Sequence, residues 1–235
     1  MSAPGVIAVI GLGEAGSAIA TDLVAAGVSV RGWDPGRDVP EGVEPAGDEA
    51  GAARGAAIVL SLNSAAVAVE VAAGAAPGLD PGALFADMNA AAPAVKRAAA
   101  EAAGATFADV ALLGAVPGRG LATPALASGP GAERFAQTFG ELGMPVTAVG
   151  PEVGDASARK LARSVFAKGL AAAVGESLDA ALLRRLVEGS RLHAGRRVEE
   201  MAAAVALLEE LGVDPRVASA TEQWLRSLDR SEVNG

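Results

Sequence analysis

Three glycines, Gly11, Gly13 and Gly16, followed eighteen residues later by Asp34, are the residues of this chain whose types and spacing point most directly to chemistry. In a G-x-G-x-x-G turn, Gly11 permits the tight bend, Gly13 lets backbone N–H groups approach a pyrophosphate, and Gly16 lets the following helix sit close on the preceding strand. The positive end of that helix faces the phosphates, with Leu12, Glu14 and Ala15 completing the turn around them. A carboxylate at Asp34 is placed to accept hydrogen bonds from an adenosine ribose diol, so the expected ligand is a dinucleotide. Asp34 repels the 2′-phosphate of NADP and favours NAD. Arg37, three residues on, supplies a charge that keeps NADP open.

A glycine pattern alone is weak evidence in a chain with 30 glycines. The elements around it carry the argument. The apolar run Val6–Ile10 reads as a buried strand, residues 15–26 as a helix, and 28–33 as a second strand that ends at Asp34. The alternation continues with strands over 56–62, 83–87, 106–113 and 145–149 and helices over 65–73, 92–103 and 132–142. This pattern predicts an α/β, Rossmann doubly wound parallel sheet in a domain spanning 1–152. Beyond residue 153 the apolar positions recur at helical spacing, predicting helices over 155–173, 178–187, 192–211 and 215–228 in a smaller all-α domain, 153–235. Asp155 or Ser157 is the expected cap of the first, and Leu161, Val165 and Leu170 its buried side. So few helices make a thin core by themselves, which predicts a homodimer that buries apolar faces between two helical domains.

Composition excludes several classes. With 51% hydrophobic residues but only 3% aromatic ones and no tyrosine, the core must be built from Ala, Val and Leu. A net charge of -9 argues against nucleic-acid partners, which need clustered Lys and Arg. The absence of cysteine removes disulfides, thiolate ligands and cysteine nucleophiles. The longest uncharged run, 55–69, falls short of the roughly 20 apolar residues of a membrane span. No basic segment precedes the first strand, and the expectation is a cytoplasmic protein. His193, the one histidine, lacks partners at ligand spacing, so no metal is expected.

Ligands of doubly wound sheets lie beyond the carboxyl ends of the strands. Leu62 ends one strand and Asn63 follows it, and Asn89 follows another, where small polar residues suit orientation of a nicotinamide and its ribose. Capping of the following helices is the alternative reading of Asn63 and Asn89. Lys160, Ser164 and Lys168 are spaced i, i+4, i+8 and share one face of the helix from 155. That face is either the lining of a cleft or, with Arg159 and Arg163, a solvated side.

Four blocks occur in an order that resembles the β-hydroxyacid dehydrogenase family, the group of 3-hydroxyisobutyrate dehydrogenase, 6-phosphogluconate dehydrogenase and the imine reductases. They are IAVIGLGEAGSAIATDL, ADMNAAAP, FADVALLGAVPGRGLATPALASGP and VGPEVGDASARKLARSVFAKG. The wording looks most like a less characterised branch with a distinct helical C-terminal domain. The resemblance implies an NAD(P)-dependent oxidoreductase that moves a hydride between nicotinamide and a hydroxyl or carbonyl of a small-molecule substrate. By position it implies Lys160 as acid or base, Ser164 where the family usually has asparagine, and Asn89 orienting the reacting centre. Gly114 stands in the substrate block, where Leu113, Gly114 and Ala115 replace the family's usual Ser-Gly-Gly. Arg119, Arg163 and Lys168 are candidate anion contacts, and His193 or Arg197 is a candidate contributor to the neighbouring subunit's cleft in a dimer. Imine reduction and dinucleotide binding without catalysis are the alternative functions.

Overall fold

The computed structural model describes residues 5–175 and 180–229, and the chain divides into two compact units, Met1–Ser157 and Ala158–Gly235. The first holds one sheet of eight strands: β1 (Ile7–Ile10), β2 (Val30–Trp33), β3 (Glu44–Pro45), β4 (Ile58–Ser61), β5 (Leu84–Asp87), β6 (Thr106–Leu112), β7 (Ala125–Ser128) and β8 (Val146–Gly150). Their spatial order is β3-β2-β1-β4-β5-β6-β7-β8. Every neighbouring pair is parallel except β6 and β7. The order reverses between β1 and β4, which puts a crevice at the carboxyl ends of those strands.

Successive side chains on β1 point to opposite faces, and both sets are buried. Ile7 and Val9 join a core with Leu23, Leu60, Phe135 and Phe139, while Ala8 and Ile10 join Val59, Phe85 and Phe107 on the other side. Burial on both faces explains why these strands are continuous apolar runs rather than alternating ones. The covering helices of this unit are α1 (Glu14–Ala25), α2 (Glu49–Ala53), α3 (Ala68–Ala75), α4 (Pro93–Ala103) and α5 (Ala132–Glu141). Phenylalanine is concentrated where it fills most volume: Phe85 stacks on Phe107 at 5.8 Å and Phe135 on Phe139 at 4.3 Å between centroids.

Three short elements, β3, α2 and β7, lie outside the sequence expectation. The antiparallel β7 sits in a stretch of glycine and proline, GRGLATPALAS, whose composition reads as loop. The long helix α6 (Asp155–Gly175) begins in the first unit and continues into the second, which also contains α7 (Ala180–Arg191), α8 (Ala194–Glu210) and α9 (Arg216–Asp229). The expected helix start at residue 178 lies outside the described residues.

On α8, Ala194, Val198, Met201, Ala204 and Leu207 are buried at spacings of three or four residues, and Ala218 and Leu225 are buried on α9. That spacing makes one apolar stripe per helix. Leu161 is buried as expected, but Leu170 is 52% exposed, and Phe166 one turn before it is 73% exposed. The α6 stripe thus extends past the contacts its own unit provides. Among the described residues, no helix is long and apolar enough to cross a membrane.

Candidate functional site

The glycine turn joins β1 to α1. Gly11 has a positive φ of 96°, and a side chain there would meet Leu62 O at 2.4 Å and Asn63 Oδ1 at 2.5 Å. A Cβ on Gly16 would lie 1.9 Å from Gly11 O, so only glycine lets α1 start this close to the turn. Gly13 differs from both, because a Cβ there would meet nothing within 4 Å. It is the N-cap of α1 and no side chain caps that helix. The first-turn N–H groups therefore point into open space, where an anion can receive them. Glu14 is exposed, Ala15 half-buried and Leu12 buried at this turn.

Asp34 follows β2 and closes the turn from the other side. Its Oδ2 accepts the Leu12 N–H at 2.8 Å and its Oδ1 the Gly36 N–H at 2.9 Å. Both oxygens are oriented by backbone and each keeps lone-pair capacity for a diol. Arg37 is exposed nearby in sequence. The residues fit a dinucleotide: uncapped amides for the pyrophosphate, an open Gly13, and an oriented carboxylate at the ribose end.

At the carboxyl ends of the next strands the side chains hold one another. Asn89 Oδ1 accepts the Asn63 N–H at 2.5 Å, and Asn89 Nδ2 donates to Ser61 Oγ at 3.1 Å. Asn63 Nδ2 donates to Ser61 Oγ at 3.1 Å and to Ile10 O at 3.2 Å. Neither asparagine caps a helix. Together they tie β1, β4 and β5 at the crevice, with Leu62 buried beside them and Asn89 only 3% exposed.

Behind this pair runs a row of polar residues that sequence reasoning missed. Register places Ser61 beside Asp87, Asp87 beside Asp109, and Asp109 beside Ser128 across four adjacent strands. All four are fully buried. Lys96, inside α4 and equally buried, donates to Asp87 O at 2.8 Å and lies 3.4 Å from Asp87 Oδ1 and 3.2 Å from Asp109 Oδ1. Ser157, in the first turn of α6, gives Asp109 its N–H at 2.9 Å and its hydroxyl at 2.6 Å. Ser157 is thus an anchor rather than a helix cap. Ser128 Oγ donates to Asp109 Oδ2 at 3.3 Å and accepts the Ala156 N–H at 3.0 Å.

The two acids of this row have different partners. Asp109 receives donors from Lys96, Ser157 and Ser128. Burial pushes the Asp87 carboxyl above the ordinary carboxylate range and Asp109 adds to this, against the opposing pull of Lys96 and of the Asn89 N–H. Asp87 Oδ2 is buried without a partner.

In the helical unit, Lys160 and Ser164 are half-buried on α6. Lys168, on the same face, donates to Glu200 Oε2 on α8. His193 is exposed at the N-cap position of α8, its carbonyl accepting the Arg197 N–H at 3.1 Å. Gly114 lies in the first unit after β6, where a Cβ would come within 3.4 Å of Arg119 Nη1. Arg119 and Arg163 are exposed.

Residues 6–150 match the family described as the NAD binding domain of 6-phosphogluconate dehydrogenase, and residues 166–228 match a domain of unknown function, DUF1932. No curated protein matches the chain. Among solved structures, a conserved hypothetical protein from Sinorhizobium meliloti 1021 is 30% identical over 96% of this chain and 88% of that one, with a TM-score of 0.79. The 3-hydroxyisobutyrate dehydrogenase of Mycobacterium tuberculosis, solved with L-serine, is 18% identical over 95% of this chain and 93% of its own, with a TM-score of 0.79. An imine reductase of Streptomyces aurantiacus is 20% identical over 94% and 93%, with a TM-score of 0.61. The last two share the fold. With its glycine turn, oriented Asp34 and a matched domain that fills more than half its length, the chain belongs to the family of the NAD binding domain of 6-phosphogluconate dehydrogenase.

Proposed function

We propose that the protein transfers a hydride between a nicotinamide cofactor and the hydroxyl-bearing or carbonyl carbon of a small substrate. The observation that carries this reading is the cofactor end of the site: an open Gly13 at the uncapped start of α1, opposite the oriented Asp34. Bound nicotinamide supplies the hydride donor or acceptor. NAD is the preferred form, because Asp34 presents negative charge where NADP carries its 2′-phosphate. Lys160 is the acid or base, taking the hydroxyl proton on its neutral amine during oxidation and returning it during reduction. Its support is its place in the family block and its half-buried position one turn past Ser157, the residue anchored to Asp109. Ser164, one turn further on, is a hydrogen-bonding partner for the same substrate. Asn89, already committed to Asn63 and Ser61, is a positioning residue for the nicotinamide end, while Gly114, Lys168 and His193 are the substrate-contact candidates.

A second copy of the chain completes the helical unit in this reading. Phe166 and Leu170 on α6 and Val217 on α9 are 73%, 52% and 59% exposed, an apolar surface suited to burial in a homodimer. The test of the function is a panel of hydroxyacids, sugar acids, ketones and imines followed by NADH absorbance. Turnover of a hydroxyl or carbonyl substrate supports the proposal. Turnover of imines alone assigns the imine reductase alternative, and NADH binding without any turnover assigns a non-catalytic binding protein.

A further inference from the structure

The connection from β6 to β7 is longer than its topology requires. Neighbouring antiparallel strands can be joined by a two-residue turn, yet these two are joined by the whole of 113–124. The segment leaves the sheet at the carboxyl end of β6. That is the same edge as the glycine turn, Asn63 and Asn89, because β1, β4, β5 and β6 run parallel. Ligands of such sheets bind at that edge, and a surplus loop there has the position of a binding loop.

The loop is closed at its base by the Leu113 N–H, which donates to Pro124 O at 2.7 Å. Val116 and Leu121 are buried in the core beneath it, and Pro117, Gly118 and Arg119 form an exposed tip. The Arg119 and Gly120 N–H groups both donate to Val116 O, at 2.9 and 2.8 Å, and fold the tip back so that the Arg119 guanidinium lies across Gly114. A side chain of α1 holds this arrangement from outside the loop. Asp22 accepts the Leu121 N–H at Oδ2, 2.9 Å away and 99 residues distant in sequence. Gly120 has a positive φ of 49°, and a Cβ there would overlap Asp22 Oδ2, so the carboxylate is seated directly on the glycine. The helix that carries Asp22 is the one whose uncapped start offers its amides to a dinucleotide.

We infer that Asp22 is a positioning residue for the substrate: it holds the 113–124 loop in the conformation that lays Arg119 across Gly114, so one helix sets both the cofactor turn and the loop that meets the substrate. This rests on the dehydrogenase reading, in which Gly114 is a substrate contact. Asp22 acts through Gly120 and Leu121 and leaves the N–H groups of the glycine turn untouched. Loss of its carboxylate frees the loop to open locally, which weakens substrate binding while cofactor binding and the chemical step are kept. Asparagine at this position still offers a carbonyl oxygen to the Leu121 N–H, so the role needs an acceptor of this size rather than a charge. A residue that only stabilised the fold would lower Tm without separating KM from kcat.

The test compares Asp22→Ala, Asp22→Asn, Gly120→Ala and the Asp22→Ala/Gly120→Ala double variant of the full-length protein. Arg119 is the single Lys or Arg between Arg97 and Arg134, so tryptic cleavage at the loop tip gives fragments of unique mass. Asp22→Ala and Gly120→Ala are each cleaved at Arg119 at least fivefold faster than the wild type. On the best substrate of the panel, both raise KM at least fivefold, with kcat and NADH affinity within twofold. Asp22→Asn stays within twofold of the wild type on every measure. The two single changes remove the same contact, so the double variant is no worse than Gly120→Ala alone. Unchanged cleavage at Arg119 or unchanged KM in Asp22→Ala, or equal impairment of Asp22→Asn and Asp22→Ala, overturns the proposal. Absence of turnover by the wild type across the panel rejects the dehydrogenase reading and with it the substrate role, while cleavage at Arg119 still decides whether Asp22 holds the loop.

Discussion

Asn63 and Asn89, at the ends of neighbouring strands, are bound to each other and to one shared hydroxyl. Asn89 Oδ1 receives the Asn63 N–H at 2.5 Å, and both side-chain amides donate to Ser61 Oγ at 3.1 Å. Replacing Asn89 by Ala leaves the half-buried Asn63 N–H and the buried Ser61 hydroxyl without that partner. The expected cost is about 1–3 kcal/mol in urea unfolding, with weaker NADH binding by fluorescence. Unchanged stability and affinity would show that the pair does not organise the crevice.

Two glycines of the turn should fail in different ways. Gly16→Ala brings a methyl to 1.9 Å from Gly11 O and disrupts the start of α1, lowering both Tm and cofactor affinity. Gly13→Ala meets no protein atom within 4 Å and keeps a normal melting temperature. Its methyl nevertheless enters the space assigned to the pyrophosphate, so NADH binding weakens at least tenfold. Equal NADH affinity for Gly13→Ala and wild type would remove the pyrophosphate from this turn.

The buried acids Asp87 and Asp109 separate by pH and by substitution. A carboxyl whose pKa is raised on folding binds more protons in the folded chain, so its stabilising contribution is full below the unfolded value of about 3.8 and declines as pH rises through the raised one. Wild-type stability should therefore carry a component that falls across this window, and Asp87→Asn should remove it at little cost near neutral pH. Asp109→Asn instead takes the anion away from Lys96 and costs about 3–5 kcal/mol. Urea denaturation across pH checks both, and equal losses for the two variants would contradict the different roles of the two acids.

The apolar surface on α6 gives a prediction about assembly. Phe166→Glu places a charge on a residue that is 73% exposed in one copy of the chain. Within a monomer the change is nearly neutral. Across a dimer interface it buries a charge, so sedimentation should show a dimer for the wild type and a shift to monomer for the variant. A wild-type monomer would reject the interface.

What the sequence made legible follows from the range of the interactions involved. The glycine turn and Asp34 lie within one strand–helix–strand unit, where local spacing determines geometry. Asn63 and Asn89 were visible as strand-end polar residues, though not as partners. Ser61, Asp87, Asp109 and Ser128 form a row only through strand register, which no single segment encodes. Lys96 sits beside Arg97 in an alanine-rich helix, where nothing in the local sequence marks it as fully buried. Leu170 has the spacing of a core residue because helical periodicity marks an apolar face without saying what covers it. Glu200 is paired with Lys168 only through the packing of α8 on α6, which no spacing within either helix encodes.

The proposal most open to test is hydride transfer with Lys160 moving the proton. Comparison of wild type and Lys160→Met, in NADH-linked turnover on the best substrate of the panel and in NADH binding without substrate, tests it most directly. The account predicts a loss of kcat of at least a hundredfold with NADH affinity within twofold of wild type. Turnover that survives in Lys160→Met would contradict it.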